Sequence, residues 1–291
     1  MSLFDRARIR RAFSRAAASY DQAAELQRRI GEVLLESLVY AKVPPRRILD
    51  LGCGTGHFTR ALKRRFPKAL VVGLDLAEGM LAAARRRQGW LRPFRLVQGD
   101  AGRLPFADRA FDVVFSNLLL QWSDEPERLF AEVSRVLAPE GLFLFSTFGP
   151  ETLAELREAL GPEEAARRVS PFPSLEWLGG KLLELGYDHP VLERELIIRR
   201  YASFDALRGE LKALGAGNAL SDRPRLIPGK RWLRALRERF EAGREASGSI
   251  PVRWEAISGL AFAPTVGRSK RMSGPGEVLV PADRIPVRRK P

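Results

Sequence analysis

Three closely spaced glycines beside an acid form a loop that could hold a small ligand. The run Leu49-Asp-Leu-Gly-Cys-Gly-Thr-Gly56 lies between a short apolar stretch and a helix-forming segment. Glycines there let the backbone turn tightly and approach a ligand without clashes from Cβ atoms. A loop of the form Gly-x-Gly-x-x-Gly would place its third glycine at position 57, which is His57. The spacing therefore argues against a nicotinamide cofactor.

Acidic and polar residues also end or follow the next three predicted strands. Asp75 ends the second strand, and Asp100 follows the third. Ser116 and Asn117 stand at the end of the fourth. A carboxylate at the end of the second strand can accept two hydrogen bonds from ribose hydroxyls. Because open α/β sheets bind ligands at the carboxyl ends of their strands, we expect these residues to lie together at one edge of the sheet.

This order of motifs resembles that of class I methyltransferases, whose cofactor is S-adenosyl-L-methionine. The resemblance implies that the glycine loop lies along the methionine part of the cofactor. It also implies that Asp50 meets the ammonium group or a bridging water, and that Asp100 meets the adenine amino group. The implied cofactor-binding residues are Asp50, Gly52, Cys53, Gly54, Gly56, Asp75, Leu76, Met80, Asp100, Ala101, Ser116 and Asn117.

The elements that must position these residues are short apolar strands alternating with amphipathic helices. The predicted strands are Arg47–Leu51, Ala69–Asp75, Phe94–Gln98, Phe111–Ser116 and Gly141–Thr147. Such alternation predicts a mostly parallel sheet covered by helices on both faces. The fold class is therefore α/β, and the resemblance makes it a Rossmann-like class I methyltransferase with a seven-stranded sheet. We assign residues 46–150 to this cofactor-binding core.

The flanking segments are mainly helical. Residues 1–45 form a predicted helical extension, with an apolar stripe along 22–40. Residues 151–264 combine predicted helices with two strands that we expect to complete the sheet, the helices between these strands forming a cap. The helices are 151–160, 174–186, 203–214 and 229–241, and the strands are Val191–Tyr201 and Val252–Phe262. Residues 265–291 lack periodicity and are interpreted as a basic tail.

The composition limits the classes of function. The net charge is +14, but residues 267–291 hold seven basic and two acidic residues, and residues 1–47 hold ten and five, so each end contributes +5. Charge alone does not choose among nucleic acid, an acidic carrier protein and an anionic metabolite. Ser-Asn-Leu-Leu after the fourth strand is not the motif of base methylation, so we predict no nucleic-acid partner. The single cysteine excludes an internal disulfide and fits a cytoplasmic protein. Two distant histidines predict no metal site, and no apolar run is long enough for a membrane helix. The Arg-rich first 20 residues predict a surface helix rather than a transit peptide.

Four further runs resemble the malonyl-acyl-carrier-protein O-methyltransferases of biotin synthesis, the BioC family. They are Ala12–Asp21, Asn117–Trp122, Phe145–Leu156 and Leu211–Asn218. Pro251-Val-Arg-Trp-Glu255 departs from the Pro-Leu-Thr-Tyr-Glu of that family. Mitochondrial complex I assembly factors with a methyltransferase fold share the Phe-Gly-x-x-Thr-Leu-x-Glu-Leu pattern. A protein-modifying or assembly role is therefore the alternative, as is methylation of another small molecule.

The family resemblance implies methyl esterification of the free carboxylate of malonyl-acyl-carrier protein or malonyl-CoA. That carboxylate is ionised at neutral pH, so no general base is needed and no catalytic acid–base residue is predicted. Tyr20 and Gln27 are predicted to close over the cofactor or contact the acceptor, and Gln121 and Trp122 are second candidates. The basic surface would suit an acidic carrier protein. The oligomeric state is not determined by the sequence.

Overall fold

A seven-stranded sheet forms the centre of the described protein. The computed structural model describes residues 2–89, 93–224 and 229–265. In this part of the chain the strands are β1 (Arg47–Leu51), β2 (Leu70–Asp75), β3 (Arg95–Gln98), β4 (Phe111–Ser116), β5 (Leu137–Phe148), β6 (Asp188–Tyr201) and β7 (Ile250–Phe262). Their order is β3-β2-β1-β4-β5-β7-β6, and β7 runs antiparallel to both neighbours. The predicted seven-stranded, mostly parallel sheet is confirmed.

Helices flank the sheet and extend beyond it. Among the described residues the α-helices are α1 (Arg6–Ala16), α2 (Tyr20–Ala23), α3 (Glu25–Glu36), α4 (His57–Arg65), α5 (Glu78–Arg87), α6 (Pro126–Val136), α7 (Ala154–Leu160), α8 (Pro162–Arg168), α9 (Leu175–Glu184), α10 (Phe204–Ala213) and α11 (Lys230–Glu241). Short 3-10 helices lie at Ser37–Tyr40 and Leu120–Trp122. No helix in the described part is long and apolar enough to cross a membrane.

The sheet is buried on both faces at its central strands β1, β4 and β5, whereas the edge strand β6 is mostly exposed. In β1, Leu49 faces a cluster that contains Phe130 of α6 and Leu178 of α9. The neighbouring Ile48 faces the opposite cluster, with Leu34 of α3. Successive residues of a strand point to opposite faces, so a strand covered on both sides must be apolar throughout. Full burial of one such side chain contributes roughly 1.5–3 kcal/mol.

The region after β5 departs from the predicted boundaries at its first helix. The helix predicted over 151–160 begins only at Ala154, because Leu153 adopts a left-handed conformation with φ of 59°. The backbone N–H of Glu151 donates instead to a carboxylate oxygen of the buried Glu255 at 2.7 Å. The helix α8 was not predicted, although Pro162 at its first turn is a typical start signal.

The helices after β5 do not share one role. The side chains of α9 join the cluster that covers the sheet. A second apolar cluster contains Leu160 of α7, Ala165 of α8, Leu207 of α10 and Leu236 of α11. The same cluster includes side chains of β6 and β7, so these four helices pack over that edge of the sheet. The predicted tail, apart from Thr265, lies outside the described residues.

The first helix joins the core to the region around α10. Gly79 of α5 lies so close to α1 that a Cβ atom there would be 2.4 Å from the carbonyl oxygen of Ser14. On the other side, a Cβ atom on Gly215 would be 3.0 Å from Ala16. The Asp5 N–H also donates to the Ala219 carbonyl oxygen at 2.8 Å. The predicted surface helix is therefore packed on two sides and exposes its arginines.

Candidate active site

The glycine loop leaves the carboxyl end of β1 in a left-handed conformation. Gly52, Gly54 and Gly56 have φ values of 77°, 53° and 77°, which disfavour side chains. Gly54 has open space where a Cβ atom would lie. Gly56 instead approaches helix α5, since a Cβ there would be 2.9 Å from the Cβ of Ala84. Gly54 therefore offers its backbone to a ligand, whereas Gly56 serves close packing.

Asp75 holds this loop against the end of β2. One carboxylate oxygen accepts a hydrogen bond from the Gly54 N–H at 2.9 Å, and the other accepts one from the Ala77 N–H at 2.8 Å. Burial raises the pKa of Asp75, and the backbone hydrogen bonds oppose that rise. Each oxygen retains a lone pair, so the carboxylate can also accept ribose hydroxyls.

Asp50, Cys53 and Ser116 lie behind the loop rather than along the large cavity. The Thr59 hydroxyl donates to Asp50 at 2.5 Å, and the Ser116 hydroxyl donates to the Leu51 carbonyl oxygen at 3.1 Å. The Cys53 thiol is buried, and burial raises its pKa well above the usual value. Asp50 and Cys53 line a small adjoining pocket. These three residues support the loop, and their predicted contact with the cofactor remains a prediction.

The buried Asp50 should make stability depend on pH. Burial raises its pKa to about 7 from 3.8. The folded state then binds more protons between these values than the unfolded state, so stability falls as pH rises from about 4 to about 7. Between pH 5 and pH 7.5 we expect a loss of about 2–3 kcal/mol from this group. Urea unfolding of the ligand-free protein measures it.

The variant Asp50→Asn tests whether Asp50 causes this loss of stability. It retains an acceptor for the Thr59 hydroxyl but cannot titrate. We expect its stability to lack the Asp50 part of the decrease, while other groups contribute equally in both proteins. An identical pH slope in the two proteins would show that Asp50 is already ionised at pH 5.

The third and fourth strands contribute the remaining predicted contacts. Asp100 accepts a hydrogen bond from the Gly102 N–H at 2.9 Å and forms an ion pair with Arg6 of α1 at 2.5 Å. Asn117 donates to the Gln27 carbonyl oxygen at 2.9 Å and accepts from Ser146 at 2.7 Å. The cavity is lined by both, together with Leu76, Met80 and Ala101.

Two residues of the N-terminal helices cover the loop. Tyr20 lines the cavity, and burial followed by the charge of Asp75 raises the pKa of its hydroxyl above the usual range, so it stays protonated. Gln27 is buried, and its Oε1 atom has no hydrogen-bond partner among the residues that the structure describes. A buried acceptor without a donor is costly, so a ligand donor at this position would relieve that cost.

The other two predicted contacts lie on the short helix after β4. Gln121 is buried and accepts a hydrogen bond from Thr147 at 3.3 Å. Trp122 packs edge-on against Phe13 of α1, with ring centroids 5.2 Å apart. Both residues line the cavity. Trp122 therefore also anchors α1.

A cavity of about 1150 Å³ joins the predicted site to the helices after β5. We call its first part the cofactor lobe, lined by Gly52, Gly54, Asp75, Asp100 and Asn117. We call its second part the cap lobe, lined by Leu160, Phe172, Leu207, Leu236 and Trp254. The only acids that line the cavity among the described residues are Asp75 and Asp100, both in the cofactor lobe. The cap lobe is apolar and carries the cation Arg168.

Two curated proteins that match this chain over nearly its whole length have the same name. A malonyl-[acyl-carrier protein] O-methyltransferase of Xylella fastidiosa (strain M23) is 44% identical over 99% of this chain and 98% of its own. Another, of Halorhodospira halophila (strain DSM 244 / SL1), is 42% identical over 98% of this chain and 97% of its own. The chain belongs to this family. The malonyl-[acyl-carrier protein] O-methyltransferase family predicted from the sequence is thereby confirmed.

The fold comparisons agree with this family. Residues 49–145 match the family model described as a methyltransferase domain. The YcgJ protein of Bacillus subtilis has a TM-score of 0.56 at 18% identity, covering 79% of this chain and 97% of its own. A second structure is phosphoethanolamine N-methyltransferase 2 of Haemonchus contortus in complex with phosphomonomethylethanolamine and S-adenosylhomocysteine. It has a TM-score of 0.57 at 19% identity, and the match covers 88% of this chain and 60% of that one. The predicted class I methyltransferase fold is confirmed.

One residue of this methyltransferase that the motifs did not single out connects its N-terminal helices to the glycine loop. Asp21 of α2 accepts a hydrogen bond from the Thr55 hydroxyl at 2.7 Å and pairs with Arg87 of α5. It follows Tyr20 within the Ala12–Asp21 run, and this was the available sequence signal. The cap-lobe residues carried no such signal, because apolar side chains on amphipathic helices are equally typical of a core.

Proposed function

We propose that this protein transfers a methyl group from S-adenosyl-L-methionine to the free carboxylate of malonyl-acyl-carrier protein, an early step of biotin precursor synthesis. The observation that carries the proposal is the single cavity joining the two lobes. Its cap lobe has no acid among the described lining residues, which suits an anionic acceptor. Malonyl-[acyl-carrier protein] is the acceptor in the names of both relatives.

The cofactor lobe fits S-adenosyl-L-methionine. Gln27 has a buried acceptor atom that receives no donor from the described part of the chain, and Asp75 has free lone pairs beside the open Gly54. The amino acid and ribose parts of the cofactor carry donors of the required kind. Gly52, Gly54, Asp75, Asp100 and Asn117, which line this lobe, would hold the cofactor. When bound, the cofactor supplies a methyl group activated on a sulfonium.

The residues of the chain contribute position and dryness rather than proton transfer. The acceptor carboxylate is ionised at neutral pH and needs no base. Tyr20, held protonated by burial, can donate a hydrogen bond to an anionic acceptor without becoming charged. The apolar cap lobe excludes water around the carboxylate, which makes it a stronger nucleophile. Alignment of the two reactants in one cavity then provides most of the rate gain.

The proposal predicts a defined product. Incubation with S-adenosyl-L-methionine and malonyl-acyl-carrier protein should add one methyl group to the malonyl arm, detected by mass spectrometry. Acetyl-carrier protein is the matched control, because it lacks the free carboxylate. Transfer to neither acceptor, with S-adenosyl-L-methionine binding intact, would contradict carboxyl methylation and favour the protein-modifying alternative. Equal or better transfer to malonyl-CoA would identify coenzyme A as the carrier.

We also propose a cytoplasmic location. The free thiol of Cys53, the single cysteine of the chain, is compatible with a reducing compartment. Malonyl-acyl-carrier protein, the methyl acceptor of this proposal, would be met there. After cell lysis and centrifugation, we expect the protein in the soluble fraction and not in the membrane fraction.

A further inference from the structure

The opening of the cavity is surrounded by positive charge. Among the described residues, every exposed one that lines the cavity lies on α1 or between positions 208 and 217. These residues are Arg6, Arg8, Arg10, Arg15, Arg208, Gly209, Lys212 and Gly217. Because exposed lining residues mark where a cavity meets solvent, the cavity opens between α1 and α10. We call the arginines and the lysine of this set the basic rim.

Most of the charge on the basic rim is not neutralised within the protein. Arg6 pairs with Asp100 at 2.5 Å, and Arg208 pairs with Asp205 at 3.4 Å. The other rim cations form no ion pair with any acid in the described part of the chain: Arg8, Arg10, Arg15 and Lys212. Burial lowers the pKa of Arg8, repulsion by the neighbouring Arg223 lowers it further, and the charge of Asp5 raises it. Such a rim attracts an anionic surface.

We propose that the basic rim is the docking surface for the acidic carrier protein that delivers the malonyl group. This inference rests on the proposed function and specifies where its partner binds. A carrier docked at the rim would hold its flexible arm at the opening, so that the arm reaches through to the cap lobe. Opposite charges on the two proteins would accelerate their encounter and fix their orientation.

The rim fits a carrier better than it fits a small thioester. A short malonyl thioester inserts into the cavity and needs no contact with side chains outside it. A folded acidic partner is wider than the opening and must rest on the residues around it. The cations of α1 and α10 stand on both sides of that opening, so one partner can contact both helices at once.

Charge reversal on both sides of the opening tests this docking surface. We expect Arg15→Glu combined with Lys212→Glu to raise KM for malonyl-carrier protein by about tenfold or more, with kcat little changed. KM for malonyl-pantetheine, which lacks the protein, should change by less than about threefold. The matched control is Arg60→Glu with Arg64→Glu on α4, an equal charge change on exposed residues that line no part of the cavity.

Two further measurements keep the outcomes distinct. Surface plasmon resonance with immobilised carrier protein should show weaker binding by the rim variant than by the α4 variant, and the difference should shrink at high salt. Unchanged carrier binding and unchanged KM would overturn the docking surface while leaving methylation intact. Equal rises in KM for both acceptors would also overturn it, because the rim would then act on the arm. Failure of the unaltered protein to methylate either acceptor would instead defeat the proposed function.

Discussion

Replacement of Asp75 by alanine should weaken binding of S-adenosyl-L-methionine by about 30-fold to 1000-fold. The expected cost is about 2–4 kcal/mol, because the variant loses the acceptors for the ribose hydroxyls and loosens the glycine loop. The second effect comes from the Gly54 N–H and the Ala77 N–H, which both lose their carboxylate partner. Isothermal titration calorimetry on the folded variant measures the change directly.

Two controls separate ligand contact from general damage. Asp222→Ala removes an exposed aspartate outside the cavity lining and should bind the cofactor as the unaltered protein does. Asp75→Asn retains one acceptor oxygen and should fall between the alanine variant and the unaltered protein. Unchanged affinity in a folded Asp75→Ala variant would show that the ribose lies elsewhere.

Replacement of Arg135 by methionine should destabilise the fold by about 3–5 kcal/mol. Arg135 of α6 is buried and pairs with the buried Glu132 at 2.8 Å. It also donates to the carbonyl oxygens of Leu104 and Phe106, at 2.9 Å and 2.7 Å. The substitution leaves Glu132 and both carbonyl groups without these donors, which is the costly arrangement for a buried network. The free energy of urea unfolding gives the magnitude.

The same helix provides a matched control for this prediction. Arg128 pairs with Glu125 at 3.5 Å, and their side chains are 36% and 65% exposed, so water screens this pair far more than the buried one. Arg128→Met should therefore cost no more than about 1 kcal/mol. The double variant Glu132→Leu/Arg135→Met also removes the unpaired carboxylate of Glu132, so it should recover part of the lost free energy of unfolding. Equal costs for the two single variants would show that the buried pair contributes no more than a surface pair.

The cofactor half of the molecule was predictable because its signals are local. The glycine loop and Asp100 each follow a short apolar strand, Asp75 ends another, and parallel strands end at a common edge. The assignment of Gly56 shows the limit of this reasoning. Its left-handed φ could be expected from the loop pattern, but its close approach to Ala84 depends on where α5 packs.

The acceptor half was harder to predict from the sequence, because its contacts join segments that are far apart in the chain. The sequence by itself determined the strand alternation, the cofactor motifs and, through the resemblance, the family. Only the tertiary structure decided that α1 lies beside α10, that their arginines and lysine surround one opening, and that Asp21 links α2 to the glycine loop. The physical reason is that periodicity gives each helix an apolar face, whereas packing against distant helices decides which charges become neighbours.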